Sequence, residues 1–340
     1  MNQTCKEIED NEDIKKEFLV YRDGLVRLEP TVNLLPDISK MKARKKDIWV
    51  LSFPKSGTTW TQEMIWQIAN KVDLVNGELD LQQRFPFLEF QTLVDFQHIM
   101  PGLRGKIINI LFGLKNWWTM LQRTNPTSWL GYPNFTDYLE SIEEDKPRFI
   151  KSHLPFSLLP TNLLDTAKVV YVMRNPKDVV VSYYHHHKLL KTHGYIGSFP
   201  SFVRRFMKHE IMMGPYFSHV EEGWAQRNHP NLLLICYEDM KKDLKSVIER
   251  ASRFLDSTLT QDDIETLLEH LNIKNLRENP AVNMEMMRAA GVIEKEGNFF
   301  RKGEVGGSKE EFEQYPDLEK EFEEWIELEL LARKLSFDKP

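Results

Sequence analysis

Only two cysteines, Cys5 and Cys236, occur in 340 residues. They supply no disulfide framework, and such sparing use suits a reducing compartment, so a cytoplasmic location is expected. No uncharged apolar run is long enough to span a bilayer. The longest, residues 107–114, falls far short of the roughly 20 residues required, and stable membrane insertion is not expected. The first thirty residues are dense in Glu, Asp and Lys and show no secretory signal. Positive charge is not in excess either. The net charge of −6 argues against general nucleic-acid affinity, while leaving room for a local basic pocket. A GxxxxGK stretch, the Walker A signature, is missing. Internal repeats and low-complexity linkers are missing too.

What is present belongs to an ordinary globular chain, 41% hydrophobic and 28% charged. Residues 1–40 read as a charged N-terminal lead-in with a few extended pieces, and 41–340 as a single domain. Short apolar, β-branched runs at 47–53 (DIWVLSF), 148–153 (RFIKSH), 168–174 (KVVYVMR) and 232–237 (LLLICY) read as buried strands. Helical patterns follow three of them, to about residues 70, 190 and 254. Asn175 and Pro176 are a favoured cap and first residue for the second of these helices. The stretch 317–334 reads as an acidic amphipathic helix packed on the domain. Strands alternating with helices give an α/β fold, a central parallel sheet flanked by helices. On such sheets ligands sit beyond the C-terminal strand ends, where the chemically interesting residues fall.

Four stretches carry that interest. Lys55, Ser56, Gly57, Thr58 and Thr59 lie between strand and helix. Backbone N–H groups, a glycine for close approach, a lysine and three hydroxyls there make an anion cradle. Arg174 ends the third strand, where a nucleoside-triphosphate enzyme would place an acid for magnesium. With Ser182 it could clamp a phosphate; paired with Asp178 it would be a surface arginine. Lys151 and His153 share a face of the second strand. A neutral His there can take a proton from a hydroxyl while the Lys offsets charge, or the His can be a satisfied structural residue. Finally, Arg301, Lys302 and Gly303 form a basic loop, able to close over an anion or simply to be solvated.

Two other stretches imitate metal sites. His185, His186 and His187 are consecutive on a helix and point in different directions, so they are not expected to chelate one ion. The acids of residues 234–239 (LICYED) suit the start of the next helix better than a magnesium site. No metal is expected.

Together these stretches resemble the cytosolic sulfotransferase family over about residues 47–307. PKSGTTW at 54–60 is similar to its 5′-phosphosulfate loop, and KSHLP at 151–155 to its KTHLP, with Ser152 in place of Thr. RNPKDVVVSYYH at 174–185, YED at 237–239 and FRKG at 300–303 resemble three further motifs. The resemblance implies the P-loop-like sulfotransferase fold and, as donor, 3′-phosphoadenosine 5′-phosphosulfate (PAPS), with 3′-phosphoadenosine 5′-phosphate (PAP) as product. It implies Lys55, Ser56, Gly57, Thr58 and Thr59 around the phosphosulfate and Trp60 and Tyr237 near the adenine. Arg174, Ser182, Arg301, Lys302 and Gly303 would hold the 3′-phosphate. It implies His153 as general base, with Lys55 and Lys151 as catalytic cations.

Residues 270–287 are similar to the corresponding piece of an insect member, retinol dehydratase. Leu271, Asn272 and Ile273 depart from the family's Thr-Ser-Phe beside the adenine. Residues 303–322 lack the usual Lys-x-x-x-Thr-Val dimer motif, which leaves a homodimer open.

The implied acceptor is a small lipophile bearing a hydroxyl: a phenol, sterol or isoprenoid alcohol. Residues 84–90 (RFPFLEF) and 105–121, with Phe112, Trp117 and Trp118, could wall its pocket or be ordinary core. The segment around residues 107–118 could also be a lid, or dip toward a membrane to collect a lipophilic acceptor. His186 falls where an acceptor-facing residue is implied. Rival readings are a dehydratase that expels water by transient sulfonation, a metal-dependent kinase, and a non-catalytic lipophile-binding protein.

Overall fold

Apolar strands in this chain alternate strictly between two cores. The computed structural model describes residues 6–7, 19–21, 25–27, 29–90, 135–289, 291–294, 296–301 and 303–337. Strands β1 (Lys6–Glu7), β2 (Leu19–Tyr21) and β3 (Leu25–Arg27) form a small antiparallel sheet. The central sheet comprises β4 (Ile48–Ser52), β5 (Phe149–Ser152), β6 (Lys168–Met173) and β7 (Leu232–Cys236). Its order is β5-β4-β6-β7 and every pairing is parallel.

Successive side chains on a strand point to opposite faces. Trp49, Leu51, Val169, Tyr171 and Met173 therefore enter one core, against the helices Pro176–Leu189 and Phe199–Met207. Val50, Val170, Val172 and Ile235 enter the other, against Thr58–Ala69 and Leu244–Phe254. A sheet buried on both faces explains why its strands read as continuous apolar runs.

Local chemistry sets the element ends. The Asn175 side chain accepts the Lys177 N–H, and Pro176 opens the helix in its first turn, where the N–H that proline lacks would have no intrahelical acceptor. Asp243 splits the expected helix to 254 in two, because its side chain caps the Ser246 N–H and starts Leu244–Phe254 afresh after Tyr237–Lys242. Part of the stretch read as extended is instead the helix Glu29–Lys40, which sends Leu34, Leu35 and Ile38 into the first core. That i, i+1, i+4 spacing is a helical stripe. The helix Pro316–Arg333 packs through Leu318 and Phe322, and Glu319 receives the Lys177 ammonium at 2.6 Å. Among the described residues, no helix is long and apolar enough to cross a membrane.

Candidate active site

A cleft with about 1240 Å³ of empty space opens at the C-terminal ends of β4, β5 and β6. The turn from β4 into Thr58–Ala69 forms its floor. Lys55 and Gly57 both adopt positive φ, 68° and 107°. A Cβ on Gly57 would stand 2.7 Å from the Tyr237 ring, so only glycine lets the turn close against that side chain. Thr58 Oγ1 and Ser52 Oγ share a buried hydrogen bond of 2.6 Å. Thr59 and Trp60 also line the cleft, and Trp60 meets Tyr237 edge-on at 5.7 Å. Ser56 behaves differently from the expectation. It is fully buried, its Oγ has no hydrogen-bond partner among the described residues, and it is not part of the cleft wall.

The Lys55 ammonium lies 4.2 Å from the centre of the Phe299 ring and 3.5 Å from the Phe299 carbonyl oxygen. Burial, then repulsion from Arg174, Lys151 and Arg301, lowers its pKa to about 7. Lys151 sits 4.0 Å over the Phe87 ring, and burial brings it down to about 8 against the attraction of Glu89.

His153 shares the cleft with Lys151, as the strand geometry predicts. Its Nδ1 lies 2.7 Å from the carbonyl oxygen of Ser52. A carbonyl can only accept, so the proton is on Nδ1 and Nε2 keeps its lone pair. Burial above all, then Lys151, holds the imidazole well below its ordinary pKa, and the ring is neutral near pH 7. Behind it, His219 Nε2 donates to the His153 carbonyl at 3.1 Å, while its Nδ1 lies 2.7 Å from the Tyr171 hydroxyl.

Ser152 points the other way. Its hydroxyl donates at 2.9 Å to Glu89, whose second oxygen accepts the His153 N–H. Glu89 is fully buried, and that burial lifts its carboxyl to about 7. It therefore ties segment 84–90 to the strand carrying Lys151 and His153. The expectation for this segment, a pocket wall or ordinary core, did not include a role for the acid inside it; the lone Glu among aromatic residues was the available signal.

Arg174 contacts three segments. It donates to the Lys55 carbonyl at 3.3 Å and to the Glu304 carbonyl at 3.1 Å, and its guanidinium lies 4.0 Å over Tyr237. The pairing with Asp178 exists too, at 3.5 Å, yet Arg174 still lines the cleft with Nε unpartnered among the described residues. Asp178 meanwhile accepts the N–H groups of Gly306 and Ser308. Ser182, Tyr237, Arg301 and Gly303 line the same cleft. Gly303 has φ 66°, and a Cβ there would collide with Ile273 at 2.7 Å. Lys302 lies outside the described residues.

The three consecutive histidines go three ways: His185 to Glu311 at 2.9 Å, His186 into the cleft, and His187 to the Tyr183 carbonyl at 3.0 Å. Among the described residues no group of three His, Cys, Asp or Glu is placed to hold a metal. The LICYED acids begin the helix Tyr237–Lys242, where Glu238 accepts the Asn175 N–H at 2.9 Å.

Beside the cations the cleft is lined by apolar side chains. Phe87 and Phe90 come from the expected segment, and residues 105–121 lie outside the described residues. Met212, Met213, Met284, Met287 and Val292 complete the wall. Sequence reading did not single these out for the site, because nothing in their spacing shows that they meet. Ile273 is in the wall, while Leu271 is fully buried behind it.

Residues 45–335 match the family model described as "Sulfotransferase domain". The chain belongs to the sulfotransferase family. This sulfotransferase is 38% identical over 296 residues to the luciferin sulfotransferase of Photinus pyralis, covering 85% of this chain and 73% of that one. It is 33% identical over 300 residues to sulfotransferase 1A1 of Mus musculus, covering 86% and 88%. Among solved structures it is similar to retinol dehydratase in complex with androsterone and inactive cofactor PAP. That TM-score is 0.80, at 32% identity, over 94% of this chain and 91% of the other. The sulfotransferase fold, sulfuryl-transfer activity and kinship with insect members expected from the motifs are thus those of the family.

Proposed function

We propose that this sulfotransferase takes the sulfuryl group of PAPS and passes it to a hydroxyl of a small lipophilic acceptor, with His153 as general base. One observation carries the reading. The free Nε2 of a neutral His153, oriented by the Ser52 carbonyl, opens on a cleft lined both by cations and by apolar side chains. The residues present suit such a donor. Lys55, Arg174 and Arg301 crowd one another in the cleft, and phosphates relieve that repulsion. Thr58 and Thr59 open a helix onto it, and the unpartnered Nε of Arg174 can donate to an anion.

His153 Nε2 takes the acceptor proton as the acceptor oxygen bonds to sulfur. The bond from sulfur to the 5′-phosphate oxygen breaks, and its electron pair leaves on that oxygen. Lys55 offsets this charge, and Lys151 the charge on the sulfuryl oxygens. Lys302, Gly303, Ser56 and Trp60 belong to the proposed donor site as well, Ser56 through its backbone. Residues 41–340 act as one domain in this proposal, with 1–40 as the lead-in. The protein works in the cytoplasm, a setting that suits the buried, unpaired thiol of Cys236.

The test is thermal unfolding with excess PAP in EDTA, compared with ADP with and without magnesium. PAP at a hundred times its dissociation constant adds about 2.7 kcal/mol, a shift of several degrees. Stabilisation by ADP only with magnesium would replace this reading with a kinase. Product mass then decides the outcome at the acceptor: a retained sulfate marks transfer, whereas loss of water marks dehydration.

A further inference from the structure

The reading above gives work to the cations of the cleft and to His153, but not to His186. This residue follows Ser182 by four positions on the helix Pro176–Leu189, so both face the same cleft. Its ring meets His193 at 5.1 Å and Phe299 at 5.9 Å, both edge-on, and stacks on Tyr183 at 6.2 Å. Its Nδ1 is buried and has no hydrogen-bond partner among the described residues. Buried polar atoms in folded proteins are almost always paired, so an orphan on a ligand cleft marks where a partner arrives with the ligand. A half-turn of the ring exchanges the two edges at little cost to its packing.

Charge decides the kind of partner. Burial first, then Lys55, His193, His187 and Lys151, keeps the ring neutral well below its ordinary pKa. A neutral imidazole offers one N–H and one lone pair, which suits a hydroxyl or a carbonyl. The flanking lysines face the donor in the reaction, so a second anion there would meet the donor's own negative charge. Apolar Leu190, Met287, Val292 and Phe299 line the same cleft, with His193 beside His186.

We propose that His186 is a hydrogen-bonding subsite for a second, uncharged oxygen of the acceptor. Preferred acceptors are then lipophilic diols or hydroxyketones, sulfonated at the oxygen near His153 and held by the other at His186. This rests on the lipophilic-acceptor reading given above.

Matched pairs test it: 2-naphthol beside 2,6-dihydroxynaphthalene, and 3-hydroxysteroids with and without a 17-oxygen, assayed with PAPS. Leaving a buried partner unpaired costs enough that the dioxygenated member of at least one pair gains about tenfold to a hundredfold in kcat/KM. His186→Phe brings that ratio close to one, and His186→Asn, which keeps a polar group, restores part of it. PAP still raises the melting temperature of both variants. A wild-type enzyme with no preference in any pair, or a preference untouched in His186→Phe, overturns the proposal. If no pair is turned over although PAP stabilises the protein, the lipophilic-acceptor reading fails and the subsite fails with it. If PAP itself does not stabilise the wild type, the fault lies with the donor site.

Discussion

Among the residues that line the cleft, Lys55, Arg174 and Tyr237 closely follow the ends of β4, β6 and β7, whereas Phe87, Met212, Met287 and Val292 arrive from segments far apart in the chain. The first group, with its neighbours, holds like charges together at an energetic cost, visible in the lowered pKa of Lys55. Positive φ at Lys55 and Gly57, and three backbone or ring contacts from Arg174, keep them in place. The apolar group needs no such constraint, because every residue in it gains by leaving water. Removing a cation of the first group should therefore cost function and spare stability, whereas removing a residue of the second should above all cost stability.

His153→Ala is expected to have the largest effect. Turnover falls roughly 10²–10⁴-fold while stabilisation by PAP persists, measured by product formation and thermal shift on the same sample. Collapse of nucleotide binding as well would make His153 structural.

Phe87→Ala tests the apolar group. Phe87 is buried against His153 at 5.1 Å and beneath the Lys151 ammonium. Its loss should cost about 3 kcal/mol in urea unfolding. A change below ~1 kcal/mol would erase the contrast between the two groups.

Glu89→Gln probes the joint between them. A carboxyl raised from 4.5 to about 7 by burial binds its proton more tightly when folded. Its contribution to stability is full below pH 4.5 and is lost as pH rises through 7. The stability of wild type relative to Glu89→Gln should fall by on the order of 3 kcal/mol between pH 4.5 and 7.5. Parallel pH profiles for the two proteins would show that Glu89 titrates normally.

Lys55→Ala sharpens the other side. PAP binding weakens roughly tenfold to a hundredfold, the worth of one charge-assisted contact. The empty protein, freed of a crowded buried cation, melts no lower than wild type. A clear drop in its melting temperature would mean that Lys55 supports the fold.

How far each group could be read from sequence follows from the same difference. Lys55 to Trp60 and Arg174 to Ser182 are contiguous, lie just beyond recognisable strands, and are placed by the parallel order of those strands. Met212, Met284 and Val292 become neighbours only through tertiary packing, which periodicity does not report. Glu89 was hidden for another reason. Its role comes from hydrogen bonds to Ser152 and His153, more than sixty residues away. The helix Glu29–Lys40 escaped because Pro36, a breaker in most helical contexts, sits inside its sequence.

The burial of Lys55 against Phe299 also implies a proton inventory for ligand capture. With its pKa at about 7 in the empty cleft, this amine is mostly uncharged at pH 8. A polyanion arriving beside it favours the ammonium form, so capture at that pH draws a proton from solution. The heat measured by calorimetry then depends on the ionisation enthalpy of the buffer, and nucleotide affinity declines as pH climbs above 7. The enzyme meets its donor in the company of a hydrogen ion, and gives that ion back when the spent nucleotide departs.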